Sequence, residues 1–338
     1  MSRDAPDLTR RAQMPGLLGR LDDPWGITWR MAGAARRFSP RRTVRFLAAW
    51  ILGTARFERP IFVTGAPRSG TTLVFQLLRS SPELGSLPGE GHDIWRRYHH
   101  PRRRGWRSDA VGAGEVGFGE RRFVNAAFHA HVGRRRLVEK TPESSLRIPY
   151  LLDLFPDALF VFVHRHPCEV INSLINGWRH PQGRFRSYFV PEKLSIPGYP
   201  ASRRWCFALV DGWRELRDRP IPEIALAQWE QCLRGLAAGR SAIPAGRLTE
   251  IHLERLVEDP RGHLERLTER LGIDCGESLA GRLRELLAEP VNALSPARPE
   301  KWKDENRDEI SALLPRIARV AELAGYRVDP VSGDVTLP

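Results

Sequence analysis

Short, wholly apolar runs alternate with longer amphipathic stretches along most of the chain. Residues 61–64 (IFVT) form one such run, and residues 158–164 (ALFVFVH) form the strongest. Runs that are apolar at every position are typical of strands buried on both faces of a parallel sheet. The pattern predicts further strands at 137–139 and 248–253.

Between the strands, apolar residues recur with the period of a helix. This pattern predicts helices at 71–79, 145–155, 167–177, 221–239, 260–271, 279–288 and 305–324. Strands that alternate with helices form a parallel sheet with helices on both faces. We therefore predict an α/β protein with a doubly wound, mostly parallel sheet flanked by helices.

Two stretches lack clear periodicity and predict long loops, at about 95–119 and 177–204. Long loops in α/β enzymes often line binding sites. The domain organisation predicted is a basic, mostly helical extension over 1–58, a single domain over 59–325, and a C-terminal tail over 326–338.

The net charge of the chain bears on what the protein binds. The chain of 338 residues has a net charge of +13, and nearly all of its cations are arginines. A solvated arginine-rich surface explains the charge, and so does a polyanionic partner such as nucleic acid or a phosphate-rich small molecule. The few lysines are Lys140, Lys193, Lys301 and Lys303.

The cysteines and the N-terminal segment favour a reduced, cytoplasmic location. Cys168, Cys206, Cys232 and Cys275 are far apart and show no C-x-x-C spacing, which argues against a zinc site or a disulfide framework. The start of the chain lacks the pattern of a secretory signal. The apolar run 44–53 is too short to span a bilayer, and it predicts an amphipathic helix packed on the core.

The first candidate binding motif is the string IFVTGAPRSGTTL at 61–73. A strand enters a turn bounded by Gly65 and Gly70, and a helix follows, so that backbone N–H groups and the helix dipole can hold an anion. A Walker A loop has the same glycine spacing but places lysine where Thr71 stands. Here the cation is Arg68, inside the loop. No apolar strand ends in the aspartate that usually holds Mg²⁺ in such enzymes.

A second candidate anion site lies in the string FVHRHPCEVINS at 162–173. Arg165 follows the strongest predicted strand, and ligands of α/β proteins bind at the carboxyl ends of parallel strands. An arginine there can hold a phosphate through two hydrogen bonds, and the Ser173 hydroxyl can add another.

Candidates for acid–base chemistry come from two short strings. LPGEGHD at 87–93 offers Glu90, His92 and Asp93, and VEKTP at 138–142 offers Lys140 at a predicted strand end. Transfer of a charged group requires a base for the attacking hydroxyl and a cation where negative charge develops. These residue types meet both requirements.

Together the two anion motifs resemble those of sulfotransferases that use 3′-phosphoadenosine-5′-phosphosulfate (PAPS). That family carries P-K/R-S-G-T-T after its first strand, and R-x-P-x-x-x-x-x-S in a later element. Residues 165–173 match the second motif position by position. The resemblance implies that Arg165 and Ser173 bind the 3′-phosphate. It assigns to the 5′-phosphosulfate the residues Arg68, Ser69, Gly70, Thr71 and Thr72.

The same resemblance suggests catalytic roles. Some sulfotransferases use a Gly-Glu pair as the source of the base and others use a histidine, so Glu90 is our first candidate and His92 the second. Lys140 is similar to the lysine of the E-K-S/T-P element that stabilises the transferring sulfuryl group, and Arg68 would neutralise charge on the bridging oxygen. Lys301 and Lys303 would close over the 3′-phosphate.

The resemblance implies a PAPS-dependent sulfotransferase with a P-loop-like fold, PAP as its product and no metal. The acceptor is then a hydroxyl of an unspecified carbohydrate, lipid or secondary metabolite that the two loops contact. No nucleic-acid partner or membrane-spanning segment is expected, and the oligomeric state is left open. A P-loop-like kinase or nucleotide-binding protein is one alternative. A nucleic-acid-binding protein is another, prompted by the basic and aromatic stretch that begins at Trp95.

Overall fold

A parallel sheet forms the centre of the computed structural model, which describes residues 40–289 and 300–337. Five strands pair in the order β2-β3-β1-β4-β7, and every pair is parallel. The other four form two short antiparallel pairs, β5 with β6 and β8 with β9. The strands are Ile61–Thr64 (β1), Leu84–Gly85 (β2), Arg136–Lys140 (β3), Leu159–His164 (β4), Arg186–Phe189 (β5), Arg204–Cys206 (β6), Leu248–His252 (β7), Arg327–Val328 (β8) and Val335–Thr336 (β9).

Helices cover both faces of this sheet, so the predicted α/β class and doubly wound arrangement are confirmed. The α-helices in the described part of the chain are Pro40–Leu52 (α1), Thr71–Leu78 (α2), His92–His99 (α3), Glu120–Val132 (α4), Ile148–Leu154 (α5), Pro167–Trp178 (α6), Ile221–Ala242 (α7), Leu253–Glu258 (α8), Pro260–Leu271 (α9), Glu277–Ala288 (α10), Lys301–Glu305 (α11), Arg307–Ser311 (α12) and Leu314–Ala321 (α13). None of them is both long enough and apolar enough to cross a membrane.

The central strands are buried on both faces, as their continuous apolar sequence predicts. In β1, Phe62 packs into one core while Ile61 and Val63 pack into the other. In β4, Phe160 packs into the same core as Phe62, and Val161 packs into the same core as Val63. Alternate side chains of a strand point to opposite faces, so each face needs its own layer of helices.

The structure corrects three predicted elements. The loop predicted from residue 95 begins later, because α3 and a 3₁₀ turn at Pro101–Arg104 occupy its first part. Only Trp95 is buried in α3, so the sequence carried almost no apolar period there. The helix predicted at 145–155 is a 3₁₀ turn at Pro142–Leu146 followed by α5, and the break lies at Arg147, where φ is −142°.

The helix predicted at 305–324 is divided into α12, α13 and a final 3₁₀ turn. Asn306 has a non-helical φ of −142°, and Pro315 lies in the first turn of α13. Proline lacks the N–H that would continue a preceding helix, and it favours helix starts.

The two ends of the chain differ in how much is described. Of the predicted extension over 1–58, residues 1–39 lie outside the described part, while α1 packs along α4. Residues 326–337, predicted as a tail, include the β8–β9 pair. Tyr326 is buried there and donates a hydrogen bond to Glu254 Oε2 at 2.7 Å.

Candidate functional site

The candidate residues come from the carboxyl ends of three neighbouring strands. β1 lies between β3 and β4, with Val63 in register with Lys140 on one side and with Val161 on the other. After β1 the chain adds β2 and β3 on one side of β1, and it then crosses to the other side of β1 to form β4. A crevice for ligands forms where such a sheet reverses its strand order.

The loop from Gly65 to Gly70 needs its glycines at both ends. A Cβ on Gly65 would lie 2.4 Å from the Val163 carbonyl oxygen, so only glycine lets the loop pass this close to β4. Gly70 has φ of +96°, and Arg68 adopts φ of +76° although it carries a side chain. Residues other than glycine rarely occupy this region, and such strain concentrates at functional sites.

The start of α2 offers anion-binding groups. Thr71 and Thr72 are the first two residues of the helix, and the first four N–H groups of a helix have no partner within it. The Ser69 hydroxyl is buried and makes no hydrogen bond in the structure. A buried polar atom of this kind needs a partner such as water or a ligand. The donor set therefore fits a phosphate or sulfate group.

An arginine cluster lies beside this loop. Arg68 Nε donates a hydrogen bond to Ser173 Oγ at 3.0 Å, which joins the two motifs identified in the sequence. Burial, together with the charges of Arg165 and Arg184, lowers the pKa of Arg68 to about 10. Cations that disfavour one another's charge create a site where an anion is favoured.

Arg184 and Phe185 of this cluster were missed in the sequence. The Arg68 guanidinium lies 4.9 Å from the centre of the Phe185 ring, within the range of a cation–π contact. Both residues belong to the aperiodic stretch at 177–204, where no motif marks them. Only the proximity of that stretch to the loop in space identifies them.

Lys301 and Lys303 differ in their surroundings. Glu169 lies 4.0 Å from the Arg165 guanidinium and accepts a hydrogen bond from Trp302 N, which brings α11 to the arginine cluster. Lys301 contributes to lowering the pKa of Glu169, although burial of that carboxyl raises it more. Both lysines are ion-paired: Lys301 lies 3.6 Å from Glu305, and Lys303 pairs with Glu300 and with Asp334, the latter at 3.4 Å. Of the two, Lys301 is the lysine whose charge acts on Glu169, the carboxylate beside Arg165.

On the other side of the loop, Lys140 meets the predicted acid–base residues. Its Nζ donates a hydrogen bond to Thr72 Oγ1 at 3.1 Å and to Glu90 Oε1. The other Glu90 oxygen lies 2.7 Å from His92 Nε2. Residues from β3, α2 and the segment before α3 thus form one polar cluster.

The protonation states of this cluster follow from its contacts. Burial raises the pKa of Glu90, but hydrogen bonds from His92 and Lys140 outweigh burial and lower it to about 2. Burial lowers the pKa of His92, but the charge of Glu143 and the hydrogen bond to Glu90 outweigh it and raise the net value. Glu90 is therefore ionised, and the protonated form of His92 is favoured.

Glu139 fixes the segment that carries Glu90 and His92. Its Oε1 accepts hydrogen bonds from Gly91 N at 3.2 Å and from Trp95 Nε1 at 3.3 Å. A Cβ on Gly91 would lie 2.8 Å from that same oxygen, so a larger residue there would displace the Glu139 carboxylate. The E-K-T-P string thus supplies both Lys140 and the group that positions its partner.

Glu143 is a further acidic residue that the sequence did not single out. Its carboxylate lies 3.7 Å from His92 Nδ1 and 3.7 Å from the Arg96 guanidinium, and its side chain is only 5% exposed. The only sign of Glu143 in the sequence is its position three residues after Lys140. That sign is weak, because the helix predicted nearby at 145–155 did not place Glu143 in the site.

Several aromatic residues in and next to the two predicted loops are buried in the core. Trp95, Trp178, Trp205 and Tyr188 are each at most 2% exposed, so they do not offer ring faces to an acceptor or to nucleic acid bases. Stacking needs accessible rings. In the basic and aromatic stretch that suggested nucleic-acid binding, the first aromatic residue, Trp95, is therefore not available for stacking on a base.

Comparisons with known proteins agree on one family. The sulfotransferase family model matches residues 60–277. Nodulation protein NoeE of Sinorhizobium fredii is 31% identical over 230 residues, which are 63% of this chain and 50% of that protein. The chain therefore spans about half the length of this relative.

A mycobacterial protein and a solved structure extend the comparison. The omega-hydroxy-beta-dihydromenaquinone-9 sulfotransferase Stf3 of Mycobacterium bovis is 27% identical over 168 residues, which are 50% of this chain and 36% of that protein. The crystal structure of sulfotransferase STF9 from Mycobacterium avium aligns with a TM-score of 0.50 at 18% identity. The alignment covers 83% of this chain and 81% of that one, a likeness of fold.

Proposed function

Because the chain belongs to the sulfotransferase family, we propose that it transfers a sulfuryl group from PAPS to a hydroxyl of its acceptor. The observation that supports this best is the joining of the two anion motifs, since Arg68 of the loop donates to Ser173 of the second motif at 3.0 Å. PAPS carries phosphate at both its 5′ and 3′ positions. Two joined anion sites suit such a donor, whereas a nucleoside triphosphate would leave the second site empty.

The proposed binding roles follow the charge distribution. Arg68, Ser69, Gly70 and the first turn of α2 bind the 5′-phosphosulfate through backbone N–H groups and hydroxyls. Arg165 and Ser173 bind the 3′-phosphate, and Lys301 assists from α11. Arg184 adds positive charge to the same cluster, which strengthens the attraction for a polyanion.

The proposed catalytic roles separate Glu90 from His92. Glu90 accepts the proton of the acceptor hydroxyl, because its carboxylate is ionised. His92 is a poorer base, because neighbouring carboxylates favour its protonated form, which cannot accept a proton. His92 instead orients Glu90 through their hydrogen bond of 2.7 Å.

Lys140 connects binding with proton transfer. In the structure its ammonium group lies between Thr72 at the start of α2 and Glu90. A carboxylate with a pKa of about 2 is a weak base at neutral pH. When Lys140 turns towards the sulfuryl oxygens of bound donor, Glu90 loses a cationic neighbour and its pKa rises. Lys140 then stabilises the transferring group while Glu90 becomes the stronger base.

Calorimetric titration of the full chain with PAP and with ATP, without added metal, tests the donor assignment. We expect PAP to bind at least about tenfold more tightly than ATP, since one charged hydrogen bond contributes roughly 1.5–3 kcal/mol. Equal affinity, or metal-dependent preference for ATP, would favour the nucleotide-binding alternative and refute PAPS as donor. Screening of hydroxyl acceptors of different chemical classes follows a positive result.

A further inference from the structure

An outward apolar stripe runs along α1. Its inner face packs on α4, where the Phe46 ring lies 5.7 Å from that of Phe123 in an edge-on contact. Val44, Leu47 and Ile51 are 65%, 37% and 66% exposed. Residues spaced by three and four lie on one side of a helix, so these three form a single strip directed away from the protein. We call Val44, Leu47 and Ile51 the α1 stripe.

Cationic and aromatic residues border the α1 stripe. Arg41 and Arg45 are exposed on the same helix, and Trp50 is 40% exposed. Arg122, in the first turn of α4, donates hydrogen bonds to the carbonyl oxygens of Trp50 and Ile51, so the C-terminal end of α1 lies beside the start of α4.

Phe118 is another exposed apolar residue near the start of α4. It precedes α4 by two residues and is fully exposed. Leu52, the last residue of α1, is 69% exposed. A soluble protein rarely presents several large apolar side chains on one surface unless the surface binds something.

From this arrangement we infer that α1 docks on an anionic lipid surface. The α1 stripe enters the boundary between headgroups and acyl chains, and Arg41 and Arg45 contact lipid phosphates. Helices that lie in the membrane interface combine an apolar face with arginine or lysine and with tryptophan, which is the composition of α1. The net charge of +13 adds long-range attraction to an anionic bilayer.

Charge favours this occupant over two others. A second copy of a chain with a net charge of +13 is repelled at long range. Residues 1–39 contain seven arginines against four aspartates, so their net charge does not complement Arg41 and Arg45 either. An anionic bilayer complements both the charge and the apolar strip.

Co-sedimentation of the full chain with vesicles tests the inference. We expect binding to phosphatidylcholine vesicles that contain phosphatidylglycerol, weaker binding to phosphatidylcholine alone, and a decrease as salt rises. The double variant Leu47→Glu/Ile51→Glu should lower the partition coefficient at least about tenfold, because each side chain loses apolar burial. The matched control Val257→Glu/Val331→Glu alters two exposed valines elsewhere and should bind as the unmodified chain does.

Variants that remove positive charge provide an independent test, because they leave the α1 stripe intact. Arg41→Gln/Arg45→Gln should weaken binding to anionic vesicles by about fivefold per arginine and leave binding to phosphatidylcholine unchanged. Absence of vesicle binding by the full chain overturns the inference, as does an equal loss in the valine control. Light scattering identifies the rival occupant: if Leu47→Glu/Ile51→Glu converts a dimer to a monomer without changing vesicle binding, the stripe is a contact between copies.

Discussion

The two ends of the candidate site arrange their charges in opposite ways. At one end Arg68, Arg165 and Arg184 lie together, and burial followed by the charges of Arg165 and Arg184 lowers the pKa of Arg68. The Glu169 carboxylate there lies 4.0 Å from Arg165, beyond hydrogen-bond distance. At the other end Lys140 is hydrogen-bonded to Glu90, which also contacts His92.

This difference indicates a division of labour. Cations that disfavour one another's charge gain free energy when a polyanion arrives, so the arginine end is suited to binding. Cationic Lys140 and the favoured cationic form of His92 flank Glu90 and keep its carboxylate ionised and oriented, so the Lys140 end is suited to proton transfer. Substitutions at the two ends should therefore separate affinity from turnover.

The largest effect is expected from Glu90→Gln, which keeps the shape of the side chain but removes the proposed base. Turnover with PAPS should fall by about 10²–10⁴-fold, the usual contribution of general base catalysis. Affinity for PAP should change by less than about threefold, since PAP lacks the sulfuryl group near Glu90. Glu285→Gln, which alters an exposed carboxylate paired with Arg282, is the control. Unchanged turnover in Glu90→Gln would exclude Glu90 as the base.

Arg165→Ala should produce the opposite result. Loss of charged hydrogen bonds to the 3′-phosphate should weaken PAP binding by about 10–100-fold, corresponding to roughly 1.5–3 kcal/mol. Turnover at saturating donor should change much less. Arg261→Ala, at a highly exposed arginine paired with Glu265, serves as the control in calorimetry and kinetics. A fall in turnover with unaltered PAP affinity would contradict the division of labour.

A smaller effect is expected from Glu143→Gln, which removes the carboxylate facing His92 Nδ1. Burial lowers the pKa of His92 and Glu143 is the main group that raises it, so the variant should lower that pKa. Nuclear magnetic resonance titration of the His92 ring measures the shift. The matched control is Glu120→Gln, which removes the carboxylate that contacts His99 instead. An unchanged His92 titration in Glu143→Gln would show that Glu143 does not act on it.

The smallest effect concerns stability in acid. The pKa of Glu90 is about 2 in the folded chain against an ordinary value of 4.5, so its ionised form stabilises the fold above that ordinary value. This stabilisation is lost as pH falls from 4.5 towards 2. Urea unfolding over this range should show a steeper loss in the unmodified chain than in Glu90→Gln. Parallel pH dependence of the two proteins would contradict the lowered pKa.

The sequence predicted the central fold well because its signals there are local. The wholly apolar runs at 61–64 and 158–164 identify strands buried on both faces, and the structure has β1 and β4 at these positions. Elements with mixed signals were predicted poorly. The sequence predicts a loop over most of the polar helix α3, and it predicts one helix at 305–324 where the structure has α12, α13 and a final 3₁₀ turn.

The individual motifs of the site were also readable from the sequence, since each occupies a few consecutive residues. The sequence alone predicts Gly65 to Gly70, Arg165 with Ser173, and Glu90 with Lys140 as candidate site residues. It does not predict Arg184, Phe185 and Glu143, because they belong to no motif. Arg184 and Phe185 reach the site only through the packing of segments that are far apart in the chain. Glu143 lies three residues after Lys140, but only the folded structure places it opposite His92.

The sequence by itself therefore determined which strands are buried and which short strings can bind anions, because both depend on neighbouring residues. Only the tertiary structure decided which charges act on which. The contact between Arg68 and Ser173 joins residues 105 positions apart, and that between Lys140 and Glu90 joins residues 50 apart. Electrostatic interaction depends on distance in space and on burial, and neither is encoded in sequence separation.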